Sequence, residues 1–239
     1  MKSFLYNNLY GYIKLLNWES TFYKRNIALF SFEEDGNKID DKILKKYDLV
    51  QSKIRCDQYR YLDILQFKGF TLAETEVIYL FDNIKNINNI PDYRYAQKND
   101  INNVLRMANK LFNHNTRFRM PWFTEEETTK FYNTWITNSI QGNYDDKCLL
   151  IEDKKNIIGF VTIKYLDQNS ARIGLIAVNS EYRRQGVGQM LMNIVKNECE
   201  QNNINNIYVS TQISNVKAIF LYEATGASII STNYWLYFD

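Results

Sequence analysis

The sequence holds one histidine, His114, and three cysteines, Cys56, Cys148 and Cys199, widely spaced and without a CxxC pair. That scarcity argues against a multi-histidine or cysteine-rich metal site and against a disulfide framework, and it points to a reducing cytoplasm. No metal is expected. Cys148 and Cys199 fall in strand-like and helical stretches without the nearby histidine of a covalent acyl-enzyme, so packing is their expected role. His114 is expected to be a satisfied loop or helix-end residue. Charge of one sign is also missing: 29 Lys+Arg against 27 Asp+Glu set up no broad positive field for nucleic acid. No run approaches the roughly 18 apolar residues of a membrane span. The opening MKSFLYNNLYGYIKLLNWE is broken by asparagines, a lysine and a glycine before a signal-peptide core forms. Membrane insertion is therefore not expected.

What the chain does have is apolar material: 45% of its 239 residues are AVILMFWYC, enough for one large domain or two small ones. Short apolar runs at 27–32 and 49–54 predict strands, separated by a charged stretch, EEDGNKID, that reads as a loop. DQYRYLDILQFKGF reads as a helix stopped by Gly69, and TLAETEVIYLF as a longer strand. From Asp82 to Lys98 periodicity fades around Pro91, which marks a connector. The expected division is a small α/β domain over residues 1–90 and a larger one over 98–239. In the larger part, Asp100 and Thr124 are candidate N-caps of two helices, the second opening on Glu125, Glu126 and Glu127. Three strands follow (KCLLIED, NIIGFVTIKYL, ARIGLIAV), then helix, strand, helix and strand. The order ααβββαβαβ predicts a mixed α/β sheet that begins antiparallel and then crosses over. Sliding Gly69 onto Gly226 aligns helix, glycine and strand in both places, with Leu65 where Tyr222 stands: either a faint internal repeat, or only the glycine and apolar flanks that any helix-to-strand turn wants. The aromatic tail NYWLYF can either close the sheet or meet a second subunit in a homodimer.

VNSEYRRQGVGQMLM, from Val178, places Arg183, Arg184, Gln185, Gly186, Val187 and Gly188 between a strand and a helix. Backbone N–H groups at a helix start lack intrahelical partners and suit a diphosphate, glycines let it approach closely, and the arginines add charge. A Walker loop would need Gly-Lys-Ser/Thr and a dinucleotide fingerprint a third glycine, and both are missing. Without its neighbours the turn could still be an arginine-rich helix cap on a solvated corner.

With its neighbours it resembles the acetyl-CoA loop of the GNAT N-acetyltransferases, Arg/Gln-x-x-Gly-x-Gly/Ala, and the later SNVKAIFLYEATGA and terminal strand occur in the family's order. The resemblance implies a GNAT fold over Asp100–Asp239 with a smaller, partial GNAT-like N-terminal domain, and acetyl-CoA as cosubstrate. It places Asn215 and Ala218 along the pantetheine arm and Tyr222 near the sulfur, in the setting NxxAxxxYxxxG. The backbone from Ile176 through Ala177 to Val178 is then the strand edge along that arm. A closer likeness, carried by WESTFY, LQFKGFTLAETEVIYL, TRFRMPWF and STNYWLYF, is to family members that acetylate the 4-amino group of a dTDP-linked 4-amino-4,6-dideoxy-galactose for surface-polysaccharide synthesis. It implies a nucleotide-linked amino sugar as acceptor.

Acetyl transfer to an amine needs a base for the ammonium and a proton for the departing thiolate. A phenol near the sulfur supplies the latter, so Tyr222 is the candidate acid; a buried, hydrogen-bonded phenol is the alternative. Glu74 and Glu76 share one strand face by the two-residue period and are candidate bases, or else residues on a wet strand face. Arg117 and Arg119, beside Trp122, suit a diphosphate and a sugar or thymine ring, or else make an exposed basic turn. Rival functions are acetylation of a peptide N-terminus or small amine, and non-catalytic acyl-CoA sensing.

Overall fold

A computed structural model describes residues 9–82, 84, 89–109 and 111–239. Its elements are β1 (Leu9–Leu15), α1 (Asn17–Tyr23), β2 (Ile27–Phe32), β3 (Asn37–Ile39), α2 (Asp41–Leu44), β4 (Leu49–Arg55), α3 (Tyr59–Phe67) and β5 (Thr71–Phe81). After the connector come β6 (Arg94–Tyr95), α4 (Ile101–Ala108), α5 (Glu125–Ile140), β7 (Lys147–Asp153), β8 (Asn156–Tyr165), β9 (Ser170–Val178), α6 (Val187–Gln201), β10 (Asn206–Gln212), α7 (Val216–Ala224) and β11 (Ser228–Phe238). All strands join one mixed sheet ordered β3-β1-β2-β4-β11-β5-β10-β9-β8-β7-β6. Among the described residues, no helix is long and apolar enough to cross a membrane.

The second half is built as its pattern predicts. β7, β8 and β9 form an antiparallel meander, and α6 crosses over to β10, which runs parallel to β9. Thr124 caps α5 by accepting from Glu127 N at 3.1 Å, while the Glu127 carboxylate accepts from Thr124 N at 2.8 Å. Asp100 does not cap α4. Its carboxylate accepts from both terminal nitrogens of Arg94, at 2.7 and 2.9 Å, and from Gln97 N, since a bidentate guanidinium outcompetes one amide. The charged stretch EEDGNKID is not all loop: Asn37–Ile39 pairs antiparallel with β1, and Ile39 supplies its one buried side chain. The connector likewise contributes β6, an edge strand on β7.

The order and spacing of elements around the two aligned glycines agree. β4, α3 and β5 recur as β10, α7 and β11 at a constant displacement of 157 residues, Leu49 matching Asn206, Tyr59 matching Val216 and Thr71 matching Ser228. Both helices end on a glycine of positive φ, 88° at Gly69 and 93° at Gly226. The two units interlock. β5 lies against β10, and β11 lies against β4, so each unit's last strand fills the gap left in the other unit's sheet. The aromatic tail thus closes the sheet from its middle, with Leu236 and Tyr237 fully buried. The tail's aromatic run, Tyr234, Trp235, Tyr237 and Phe238, suits a strand paired on both edges.

Candidate active site

The parallel ladder between β9 and β10 begins at Ser170 and Asn206 and stops at Ile173 and Val209. Beyond that point Gly174–Val178 keeps only β8 as a partner and Ser210–Gln212 only β5. Two facing strand edges are left with free N–H and C=O groups, an arrangement suited to an extended amide-bearing chain. A cavity of about 1950 Å³ passes along them, and Ile176, Ala177 and Val178 line it.

The strands part because β9 is bulged. Val161 pairs with Ile176 and Ile163 with Ile173, so Thr162 faces two residues of β9. Leu175 N donates to Thr162 Oγ1 at 2.8 Å, and that hydroxyl donates onward to Asp145 Oδ2 at 2.7 Å. Asp145 is wholly buried and also accepts from Trp135 Nε1, Ser139 Oγ and Arg172 Nη2 at 2.8, 3.0 and 2.9 Å. Only glycine fits above it, for a Cβ on Gly174 would lie 2.2 Å from its Oδ2. Removing one partner from a buried ion pair of this kind costs about 3–5 kcal/mol.

At the end of β9, Asn179 Oδ1 accepts from Glu181 N at 3.1 Å and opens a 3-10 turn over Ser180–Tyr182. The chain then passes through positive φ at Arg184 (61°) and Gly186 (79°), and α6 begins. The first bond back to this turn is Met190 N to Gly186 O, at 3.0 Å, so the preceding N–H groups have no intrahelical partner. Gly186 meets no atom within 4 Å of a built Cβ; its requirement is conformational. Arg183, Arg184, Gly186, Val187 and Gly188 line the cavity. The side chain of Gln185 turns away and donates to Glu181 O at 3.1 Å.

From the other side α7 presents Asn215, Ala218 and Tyr222 to the same cavity. Asn215 Nδ2 donates to Thr211 Oγ1 at 3.1 Å, on the free edge of β10. Tyr222 is 2% exposed, its ring 5.6 Å from that of Tyr79, and burial holds its phenol well above the ordinary tyrosine value of 10. It is therefore fully protonated at neutral pH. Cys148 and Cys199 are buried and their thiols pushed up to about 12, which keeps them unreactive S–H groups in the core.

Glu74 and Glu76 both reach the cavity, as their spacing predicts. They differ in company. Glu76 is ion-paired with Lys53 and accepts from Asn233 Nδ2 at 3.2 Å. Glu74 accepts from Thr75 N at 2.9 Å and Ser214 Oγ at 3.1 Å, and no cation pairs with it among the described residues.

Arg117 lies flat between two rings, its guanidinium carbon 4.2 Å from the Phe118 centroid and 3.9 Å from that of Trp235. Its Nη1 donates to Gln51 Oε1 at 2.8 Å and Tyr237 Oη at 2.6 Å, both neutral. Arg25, Arg94 and Arg172 all have carboxylate partners, whereas Arg117, which no carboxylate pairs with among the described residues, brings its charge to the cavity wall. Arg119 and Trp122 are not brought there. Arg119 Nε and Nη1 donate to the carbonyls of Ala73 and Met120 at 3.1 and 2.8 Å. Trp122 is 6% exposed, edge-on to Tyr237 at 5.1 Å, because its large apolar ring gains more from the core than from the wall. His114 is an exposed residue at the cavity rim. Trp18 and Glu19, which open the segment WESTFY, line the cavity too, as do Tyr144 and Arg172; periodicity and spacing single out none of the four. Among the described residues no cluster of His, Cys, Asp and Glu could hold a metal ion.

The profile described as the acetyltransferase (GNAT) family matches residues 109–227. The dTDP-fucosamine acetyltransferase of Escherichia coli O6:H1 (strain CFT073) is 33% identical over 228 residues, covering 94% of this chain and 97% of that protein. A functionally unknown conserved protein from Staphylococcus epidermidis superposes with a TM-score of 0.63 at 16% identity, over 89% of this chain and 84% of its own. A tandem GNAT protein from the clavulanic acid biosynthesis pathway gives 0.59 at 9% identity, over 89% and 74%. At these identities the two structures speak to the fold alone.

Proposed function

Because the chain belongs to the GNAT family and is an acetyl-CoA-dependent N-acetyltransferase, we propose that its acceptor is the 4-amino group of a dTDP-linked 4-amino-4,6-dideoxyhexose, dTDP-4-amino-4,6-dideoxy-D-galactose in the first instance. The observation that carries this reading is the uncompensated guanidinium of Arg117 on the acceptor side of a cavity that also holds Glu74 and Tyr222. A fixed cation without a counter-charge is suited to an anionic acceptor. The extensive likeness to a dTDP-fucosamine acetyltransferase supports the same choice. We further propose that residues 1–90 are a reduced copy of the acetyltransferase unit in 98–239, a reading supported by the repeat of β4-α3-β5 as β10-α7-β11.

Acetyl-CoA, when bound, supplies the activated acyl group, and the residues present fit it. The N–H groups at the start of α6, with Arg183 and Arg184, hold its diphosphate. The free edge at Ile176–Val178 pairs with the amides of its arm, and a backbone N–H there stabilises the thioester oxygen as charge develops. Ala218 leaves room for the arm, and Asn215 fixes its end.

Glu74 accepts a proton from the sugar ammonium, directly or through a water, and the freed nitrogen attacks the acyl carbon. Glu76, already neutralised by Lys53, orders the strand beside it. As the carbon–sulfur bond breaks, Tyr222 delivers its phenolic proton to the sulfur, and the second proton that the nitrogen sheds on becoming an amide restores the phenol. Burial makes that proton harder to release, but burial also raises the proton affinity of a thiolate, as Cys148 and Cys199 show in the same protein. The transfer remains matched because both groups are desolvated together.

Initial rates with the dTDP-linked amino sugar, the free amino sugar and an N-terminal peptide test the acceptor. Selection of the nucleotide-linked compound is expected; equal rates without the nucleotide would overturn it.

A further inference from the structure

We propose that Trp18 is the stacking platform for the acceptor's nucleobase, forming with Arg117 a nucleoside diphosphate subsite at the α1 edge of the cavity. This rests on the nucleotide-sugar reading above and adds where the nucleotide is held. Trp18 is 51% exposed, yet it lines a concave wall rather than a convex surface. One face of its indole is covered by Phe22, at 4.9 Å and 14° from parallel, and its edge meets Phe131 at 6.0 Å. The rest of the ring is open, and Trp18 lines the cavity. A rigid indole so backed offers a large flat contact at little entropic cost, and every base has a π-face to lay on it.

Its neighbours complete the site. Phe131 also packs on Phe118 at 4.3 Å, and Phe118 is one of the two rings that hold Arg117, so the indole and the guanidinium sit two rings apart on one wall. Aromatic face and unpaired cation are the two contacts that a nucleoside diphosphate requires: one sequence-tolerant and apolar, one electrostatic. Glu19, beside Trp18 on the wall, repels phosphate but accepts from a ribose hydroxyl or a base N–H. Trp122, which the sequence offers as the covering ring, is buried 5.1 Å from Tyr237 and has no face to give.

Three acceptors separate base from phosphate: a 4-amino-4,6-dideoxyhexose, its 1-phosphate and its dTDP ester, compared by kcat/KM in the wild type, Trp18→Ala, Trp18→Phe and Arg117→Gln. Ratios between acceptors are unaffected by any loss of folded enzyme. The wild type is expected to rank the dTDP ester first. Trp18→Ala should cut its advantage over the 1-phosphate by roughly 10- to 100-fold, and Trp18→Phe should restore most of it. Arg117→Gln should instead reduce the advantage of both phosphorylated acceptors over the free sugar. If the wild type prefers the dTDP ester and Trp18→Ala keeps that ratio, the base is held elsewhere and this inference falls while the nucleotide-sugar reading stands. A Trp18→Ala variant that loses all three acceptors equally would also overturn it, by making Trp18 structural. A wild type that treats the three alike would bring down the nucleotide-sugar reading and this inference with it.

Discussion

The two interlocked units share a frame and differ in what fills it. In the first, β2 and β4 run parallel from Ile27 and Leu49 to Phe30 and Ser52; in the second, β9 and β10 do so from Ser170 and Asn206 to Ile173 and Val209. Pairing therefore stops at equivalent places, Ser52 and Val209 being 157 residues apart. Beyond the stop the second unit has a cavity and the first has packing. Tyr61 occupies the position of Ala218 and stacks on Phe32 at 4.0 Å and 10°, and Leu65, fully buried, occupies that of Tyr222. Where the second unit has the 15-residue α6 and its glycine turn, the first has one short turn of helix, α2. A parted pair of strands is thus a scaffold, and a few side chains decide whether it becomes a site.

The sharpest way to break this comparison is to give the second unit the first unit's residue. Ala218→Tyr should fill the arm's channel and abolish acetyl-CoA binding and turnover, while circular dichroism stays native because Ala218 is only half-buried. Calorimetry showing wild-type affinity would mean that the channel runs elsewhere. Next in size is the pair Tyr222→Phe and Leu65→Ala. The first should lower kcat roughly 10²- to 10⁴-fold with acetyl-CoA affinity retained. The second should cost about 2–5 kcal/mol of stability and leave turnover per folded molecule unchanged. A result with these two effects exchanged would reverse the assignment of the halves.

The smallest effect expected is in alkali. The phenol of Tyr222 is raised by burial, and those of Tyr95 and Tyr132 are pushed up to about 12, burial being the main cause in each. A proton held more tightly in the folded state stabilises fully below the unfolded value near pH 10, and that stability is lost as pH rises toward the folded values. Denaturant midpoints measured against pH should fall above pH 10. Tyr222→Phe should soften that fall and Leu65→Ala should leave its slope alone.

These contrasts also mark what local sequence can disclose. From β7 onward the strands, the crossover and both helices follow from apolar periodicity punctuated by Gly186 and Gly226, whereas Tyr222 stands out among 18 tyrosines only through the resemblance to the family's NxxAxxxYxxxG setting. Glu74 and Glu76 follow from the two-residue period of a strand. β1, α1 and β3 do not, because LYGYIKL and NKI are short, mixed in polarity and held at the sheet's edge by partners distant in sequence. Asp145 sits in NYDDK, which reads as a turn; its role exists only because donors from α5, β8 and β9 converge on it. Arg117 and Arg119 are alike in sequence, and only the presence of Trp235 and Gln51 on one side and the Ala73 carbonyl on the other separates a wall cation from a brace.

The exchange of β5 and β11 carries a consequence for biogenesis. Strand β4 cannot acquire its second neighbour until residues 228–238 have left the ribosome, so an unfinished chain exposes an open, aromatic-seeking edge for most of its synthesis. Maturation of the first unit must wait for the last strand, and cutting the chain at the connector would leave each fragment missing the strand that the other one lends it.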